Sequence, residues 1–200
     1  MGKYTCWCLD LQSHEWADLT HPSITGQRNP SGRRGKLQRM LTRKVMCKRL
    51  VSSDVKVDAV LDDAIDRDPY VTFDTVTNVV PLDNRTTPEF LLAILNSTLM
   101  SVYLRDIVFC RSKLTMDLDE AYLGQLPVKL PGESDRLELE DLARRIGVLT
   151  QDMENQGEDG AGETSTTAER QALVTTLDER IFGLYGVHEH MDLFRRLRQE

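Results

Sequence analysis

The chain has 200 residues, which predicts a single domain with room for two packed sub-regions. Hydrophobic residues make up 40% of it and charged residues 28%, the composition of a globular protein with an ordinary core. The first ten residues lack the apolar stretch of a signal peptide and no run of about 18 apolar residues follows, so we expect a soluble cytoplasmic protein that does not associate with a membrane.

The net charge of −7 is unevenly distributed along the chain. Residues 1–50 contain ten Lys or Arg against three Asp or Glu, a net of +7, and the remainder carries −14. From Gly26 to Leu50 there are nine positive residues and no acid. Lys/Arg clusters are often only solubilising surface, but the density of this one favours contact with nucleic-acid phosphates.

The first half of the chain predicts a small sheet. Residues 1–35 show no periodic pattern and remain unassigned, and 26–35 are typical of a loop. A strand is predicted over 43–50, and the alternation of Val55, Val57 and Ala59 with polar residues predicts a half-buried strand. Val71 to Phe73 and Val76 to Leu82 add two short segments, so we expect four strands in a mostly antiparallel sheet.

A helical pattern follows the sheet. Thr86 is the predicted N-cap, Pro88 fits the first turn, and Glu89 stands where a capping box needs it. The helix is predicted to run to Phe109 and is apolar nearly all round, which indicates burial against the sheet. Its small polar stripe consists of Ser97, Ser101 and Arg105.

The last third of the chain predicts two amphipathic helices. Apolar residues at helical spacing form two stripes, the first made of Leu139, Leu142, Ile146, Leu149 and Met153 and the second of Val174, Leu177, Ile181 and Leu184. Residues 155–167 between them are polar and Gly-rich, as in a flexible linker. A last short helix carries Met191, Phe194 and Leu197.

The predicted fold class is therefore α+β. A small, mostly antiparallel sheet packs on a buried helix and is followed by a C-terminal antiparallel helical hairpin. The chain is divided into an unassigned segment (1–35), an α+β region (36–134) and a hairpin region (135–200).

Signals for chemistry are weak. The phrase RDPY at 67–70 has one Pro and no Gly-rich loop before it, so it indicates a β-turn rather than the base-holding motif of an adenine methyltransferase. Asp62, Asp63, Asp66 and Asp68 lack the Lys of a nuclease site and favour a solvated acidic loop. Packing or disorder is favoured over zinc binding for Cys6, Cys8, His14 and His21. We expect neither a catalytic residue nor a bound metal or cofactor in this chain.

Three phrases carry a family resemblance. LLAILNSTLMSVYL at 91–104, YLGQLPVKLP at 122–131 and LDERIFGLYGV at 177–187 occur in that order, after the predicted sheet and into the predicted hairpin. In this the chain resembles the TaqI-like C-terminal specificity domain of adenine-specific DNA methyltransferases and restriction-modification enzymes, over roughly residues 36–195.

The resemblance implies a target-recognition module that binds double-stranded DNA and works with a methyltransferase domain or subunit, which would hold S-adenosylmethionine. It also implies that the segment 110–122 presents recognition residues. Together with the basic segment, this predicts a set of DNA-binding residues: Arg33, Arg34, Lys36, Arg39, Arg43, Lys44, Lys48, Arg49, Arg105, Arg111, Ser112 and Lys113.

Two other interpretations remain open. The chain is alternatively a protein-interaction module that docks a partner enzyme through its helical hairpin. A third possibility is the folded but inactive product of a broken gene. Binding of duplex DNA that weakens with salt separates the first interpretation from the other two.

Overall fold

The computed structural model describes residues 3–5, 8–10, 40–51, 55–62, 70–72, 75–82, 84–112, 114–156 and 163–199. Several sequence predictions fall outside these ranges: the loop at 26–35, all of the acidic segment after Asp62, most of the candidate zinc ligands, and five of the predicted DNA-binding residues, which are Arg33, Arg34, Lys36, Arg39 and Lys113.

In the part of the chain that the structure describes, the strands form three small antiparallel sheets. Strands β1 (Lys3–Thr5) and β2 (Cys8–Asp10) pair with each other. Strand β3 (Lys44–Lys48) is followed in the chain by the two-residue segment β4 (Leu50–Val51). In the main sheet, β3 is the central strand and is flanked by β5 (Ala59–Asp62) on one side and β6 (Val76–Val79) on the other. Segment β4 pairs with β7 (Met116–Asp117) in the third sheet.

The main sheet has three strands where the sequence predicted four. Val71 and Thr72 are not in a strand, and the backbone of the preceding Tyr70 is bonded to side chains instead. The amide of Tyr70 donates to the Asp62 carboxylate (2.9 Å), and its carbonyl accepts from the Lys44 ammonium (2.9 Å). The hydroxyl of Thr72 accepts from the Asn78 amide (2.6 Å). The predicted antiparallel arrangement is confirmed, with one strand fewer.

The alternation predicted before β5 is also confirmed. Val55, Val57 and Ala59 are buried, while Lys56 and Asp58 between them are partly exposed and form an ion pair of 3.2 Å. Ladder pairing begins only at Ala59, so the strand starts four residues later than the alternation does.

The predicted buried helix is broken into two. Helix α1 (Pro88–Leu95) ends at Asn96, and α2 (Thr98–Tyr103) continues into a π-helical turn (Leu104–Val108), with a bend of 58° between the two parts. Among the residues that the structure describes, no single helix is long and apolar enough to cross a membrane; this bent pair reaches that length and composition only together.

The start of α1 differs from the prediction by one residue. Thr87, not Thr86, is the N-cap, and its hydroxyl accepts from the amide of Phe90 (3.2 Å). Glu89 does not bond back as in a capping box. Its buried carboxylate instead accepts from the Arg43 guanidinium (2.5 Å) and the Arg144 guanidinium (3.3 Å).

The C-terminal region is helical as predicted. It comprises α3 (Glu120–Leu123), α4 (Glu133–Gln156), α5 (Glu163–Tyr185), a 3₁₀ turn (His188–His190) and α6 (Met191–Gln199). Helices α4 and α5 are antiparallel, because Arg180 pairs with Glu138 near one end (2.8 Å) and Arg170 with Thr150 toward the other (2.8 Å). The predicted linker was too long at both ends, since α4 reaches residue 156 and α5 begins at residue 163.

One apolar cluster joins the sheet to the hairpin. It contains Val45 and Cys47 of β3, nearly all of α1, and the stripe residues Leu139, Leu142, Ile146, Leu177 and Ile181. Burial raises the pKa of the Cys47 thiol to about 12, so this thiol is protonated and unreactive at neutral pH. The two predicted stripes are therefore core, and the hairpin is packed on the same core as the sheet.

Candidate nucleic-acid interface

The structure places the end of the basic segment against the predicted recognition loop. Residues Leu50 and Val51 pair with Asp117 and Met116, and the Arg49 guanidinium lies 3.4 Å from the Asp117 carboxylate. These elements are far apart in sequence, and the two-residue ladder is what brings them together. We refer to Lys48–Leu50 and residues 105–117 together as the ladder surface.

Both ends of the loop from 110 to 117 are anchored. At its far end the buried Leu118 donates its amide to the Arg49 carbonyl (2.6 Å) and accepts from the Thr77 hydroxyl (2.8 Å). At its near end the buried Phe109 ring packs edge-on against Tyr122, with 4.9 Å between ring centroids. A loop fixed at both ends presents its side chains with little loss of entropy on binding.

The π-helical turn ends in unusual backbone geometry. Cys110 and Arg111 have φ angles of 49° and 56°, the left-handed region that residues other than glycine rarely adopt. The amide of Arg111 donates to the Arg105 carbonyl (2.8 Å), which closes the helix end. Each such residue costs on the order of 1 kcal/mol, and π-turns and strained backbone of this kind occur often at functional sites.

Asp106 holds two arginines at this helix end. Its carboxylate accepts from Arg105 at 2.8 and 3.3 Å and from Arg111 at 3.1 and 3.3 Å. Hydrogen bonds from Arg105, and secondarily from Arg111, lower the pKa of Asp106 against the opposing effect of burial, so the carboxylate is charged at neutral pH. Arg105 is mostly buried, whereas the Arg111 side chain is 61% exposed.

Apolar side chains are exposed on the ladder surface as well. Ile107 is 60% exposed and Leu114 is 72% exposed, one on each side of Arg111 in the chain. Leu50 on β4 is half exposed. A mixture of arginine and exposed aliphatic side chains is suited to the major groove, where thymine methyl groups and hydrogen-bonding base edges are both accessible.

Two predicted DNA-binding residues are used inside the protein. Lys44 is fully buried, and its ammonium is bonded to the equally buried Asp62 carboxylate and to the carbonyls of Met40 (2.6 Å) and Tyr70 (2.9 Å). This corrects the assignment of Lys44, which has no surface for a phosphate. Arg43 is partly exposed but bonded to the buried Glu89, and its removal would leave that carboxylate with one arginine fewer.

The other described members of the predicted set lie on the ladder surface. Lys48 is exposed, Arg49 is one-third exposed, and Ser112 is partly buried with its hydroxyl accepting from the Leu114 amide (3.3 Å). Residues Asp106 and Asp117 were missed by the sequence reasoning, although Asp106 stands directly after a predicted site residue. Acidic residues were not sought in a surface expected to be basic.

The three phrases behind the family resemblance meet in the structure. The Asn96 side chain pairs with Ala59 of β5, donating to its carbonyl and accepting from its amide (both 2.9 Å). The amide and hydroxyl of Thr98 donate to Asp178 in the third phrase (2.9 and 2.6 Å). Tyr185 of the same phrase donates its hydroxyl to the Pro127 carbonyl (2.5 Å) and accepts from the Lys129 amide (3.1 Å).

These residues of the three phrases therefore hold elements of the fold together and are not assigned to DNA contact. Asn96, at the break between α1 and α2, bonds to β5, and Thr98 at the start of α2 bonds to the hairpin. The model of the TaqI-like C-terminal specificity domain matches residues 20–128, more than half of the chain. The chain belongs to this family. No curated protein and no solved structure matches it significantly.

The specificity-domain match confirms the resemblance and restricts its extent. It includes the basic segment, the sheet, the bent helix and the loop at 110–117, and it ends before α4. The family associates the chain with DNA target recognition in restriction-modification and, in general, with methyltransferases. Within the described residues of this specificity domain, no three His, Cys, Asp or Glu side chains are grouped to hold a metal ion.

Replacing Asn96 by Ala should destabilise the specificity domain by about 2–4 kcal/mol. The change leaves the fully buried amide and carbonyl of Ala59 without partners, at a cost of about 1–3 kcal/mol each. Urea denaturation followed by circular dichroism measures the effect, and Asn84→Ala, at an exposed asparagine, is the matched control. Equal stability of the two variants would mean that the Asn96–Ala59 pairing contributes nothing.

Proposed function

We propose that this chain is a sequence-specific DNA-binding target-recognition module of a restriction-modification system, acting with an adenine-specific methyltransferase and carrying no catalytic site of its own. The observation that carries the proposal is the β4–β7 ladder, which joins the end of the basic segment to an anchored loop with an exposed arginine. Family membership supplies the class of partner.

Phosphate contact is assigned to Lys48 and Arg49. Lys48 is exposed at the end of β3, and the Arg49 guanidinium lies 3.4 Å from the carboxylate of Asp117, which is itself half exposed. An exposed ion pair of this kind contributes about 0–1 kcal/mol, so exchanging its carboxylate for a phosphate costs little. The basic residues that precede them in sequence, Arg33, Arg34, Lys36 and Arg39, are proposed to extend this contact along the duplex.

Base reading is assigned to the loop. Arg111 carries donors in a fixed planar fork, and Ser112 is its neighbour in the chain. The exposed Ile107 and Leu114 would contact thymine methyl groups or exclude water from the groove. In this division phosphate contacts set the register and the loop supplies sequence preference.

The chemical step is assigned to a partner. A methyltransferase domain or subunit would bind S-adenosylmethionine and methylate adenine in the cytoplasm, and this chain would position it on the recognised site. Linking recognition to catalysis in this way raises the effective concentration of the enzyme at the site.

Duplex binding by the full chain tests the proposal. At about 50 mM salt we expect the chain to bind a mixed-sequence duplex. The logarithm of the affinity should fall linearly with the logarithm of the salt concentration, with a slope of about −0.9 for each phosphate contacted. Fluorescence anisotropy with a labelled duplex measures both quantities. No binding at low salt contradicts the proposal. If a chain that does not bind DNA still binds a methyltransferase at the same salt concentration, a protein-interaction module is favoured instead.

A further inference from the structure

We propose that Arg111 reads a guanine in the recognised DNA site and that Asp106 is the residue that positions it. The inference rests on the proposed function and adds the identity of one base. It begins from the carboxylate of Asp106, which is placed between one buried and one exposed arginine.

The geometry leaves the reading edge of Arg111 available. Asp106 accepts from the Nε and one Nη of Arg111, at 3.1 and 3.3 Å, so it occupies the side edge of the guanidinium. A guanidinium has five N–H groups, and the two Nη atoms still present a parallel pair of donors at its far end. Guanine offers two acceptors, O6 and N7, at matching positions in the major groove, and no other base does so.

The neighbouring carboxylate argues for a base rather than a phosphate. Asp106 is only 16% exposed and is bonded to both Arg105 and Arg111, so a phosphate displaces it from Arg111 less easily than it displaces the half-exposed Asp117 from Arg49. A base edge needs only the far end of the Arg111 guanidinium, which this carboxylate does not occupy. Ile107 and Leu114, two exposed side chains near Arg111 in sequence, are aliphatic and give a phosphate no additional donor.

The backbone also fixes the direction of Arg111. Left-handed geometry at Cys110 and Arg111, together with the amide bond from Arg111 to the Arg105 carbonyl, sets where the side chain leaves the helix end. Arg105 donates to the same carboxylate at 2.8 and 3.3 Å and so holds Asp106 in place. Arg111 is thus positioned before DNA arrives, which favours specificity.

The test is selection from a random duplex library with the full chain at about 50 mM salt, followed by competition binding. We expect the selected site to contain a G·C pair whose replacement by A·T weakens binding about 5- to 150-fold, the range of a bidentate contact. In Arg111→Ala and Arg111→Lys this preference should disappear at that position alone. Arg111→Lys keeps the charge and should therefore retain affinity for unrelated duplexes.

Asp106→Asn gives the discriminating result, with Asp117→Asn as its matched control. Both variants remove one negative charge from the ladder surface, so both should bind unrelated duplexes as tightly as the parent or more tightly. Only Asp106→Asn should lose preference for the G·C pair. A merely electrostatic role of Asp106 predicts the same result for both variants and would overturn the positioning role.

The remaining outcomes separate this inference from the proposed function. If Arg111→Ala loses preference at a position where the parent chain prefers an A·T pair, guanine reading is overturned. It is also overturned if the selected duplexes show no sequence preference at all. In both cases the proposed phosphate contact stands. Absence of duplex binding by the parent chain ends both. Thermal unfolding of each variant shows whether it is folded under the assay conditions. If Asp106→Asn is not folded, Arg111→Lys still tests guanine reading, because this change is made at an exposed side chain.

Discussion

Lys44→Met is expected to destabilise the protein by about 3–5 kcal/mol, the cost of removing one partner from a buried ion pair. The Lys44 ammonium and the Asp62 carboxylate are both fully buried, and the ammonium also satisfies the carbonyls of Met40 and Tyr70. The methionine would fill much of the same volume but leave Asp62 and two carbonyls without this donor. Thermal or urea unfolding measures the loss.

Two further variants identify the cause of this effect. Lys56→Met removes the same functional group from a half-exposed pair with Asp58 and should cost less than about 1 kcal/mol. Lys44→Met combined with Asp62→Asn should recover part of the stability, because asparagine is neutral and can still accept from the Tyr70 amide. If Lys44→Met is no more harmful than Lys56→Met, the lysine is not a buried structural residue and contact with DNA returns as its role.

The Lys44 result shows what a charge pattern leaves undetermined. Lys44 and Lys48 are four residues apart on one strand, so alternation places them on the same face and predicts the same exposure. Lys44 is covered because the chain comes back to it at Tyr70, whose carbonyl accepts a hydrogen bond from the Lys44 ammonium. That return is a long-range event, and the local sequence contains no sign of it.

The bent helix was unpredictable for a similar reason. Residues 88–109 follow a helical pattern that is apolar nearly all round, which predicts one helix. The break occurs where Asn96 completes the hydrogen bonds of Ala59, a residue 37 positions earlier in the chain. By contrast, the alternation at Val55–Ala59 and the stripes of α4 and α5 were predicted well, since local periodicity suffices to select the buried face.

The candidate site was predicted in parts and not as a unit. Sequence reasoning selected Arg49 and Arg111 separately, on charge and on family resemblance, without the ladder that brings their segments together. The contact between Asp106 and Arg111 also has no local signal, because residues five apart do not face each other on an α-helix. The π-helical turn and the left-handed residues after it are what bring Asp106 and Arg111 into contact.

Neutralising Lys48 and Arg49 is the change with the largest expected effect on binding to unrelated duplexes. If each contacts one phosphate, Lys48→Gln with Arg49→Gln should lower the salt slope by about 1.8 in log affinity against log salt, since each contact contributes about 0.9. At 0.1 M salt this corresponds to roughly eightfold per contact and roughly 60-fold for the pair. The loss should be the same for all duplex sequences, because phosphates carry no sequence information.

The matched control is Arg145→Gln with Arg196→Gln, which makes the same change in net charge at exposed positions on α4 and α6. Attraction to the net charge of the protein alone would weaken binding about equally in both double variants, because both remove two positive charges. Direct contact predicts a flattened slope only for the Lys48 and Arg49 pair. Unchanged affinity in that pair would show that the described end of the basic segment is only a solvated surface, and would move any phosphate contact to the residues that precede β3.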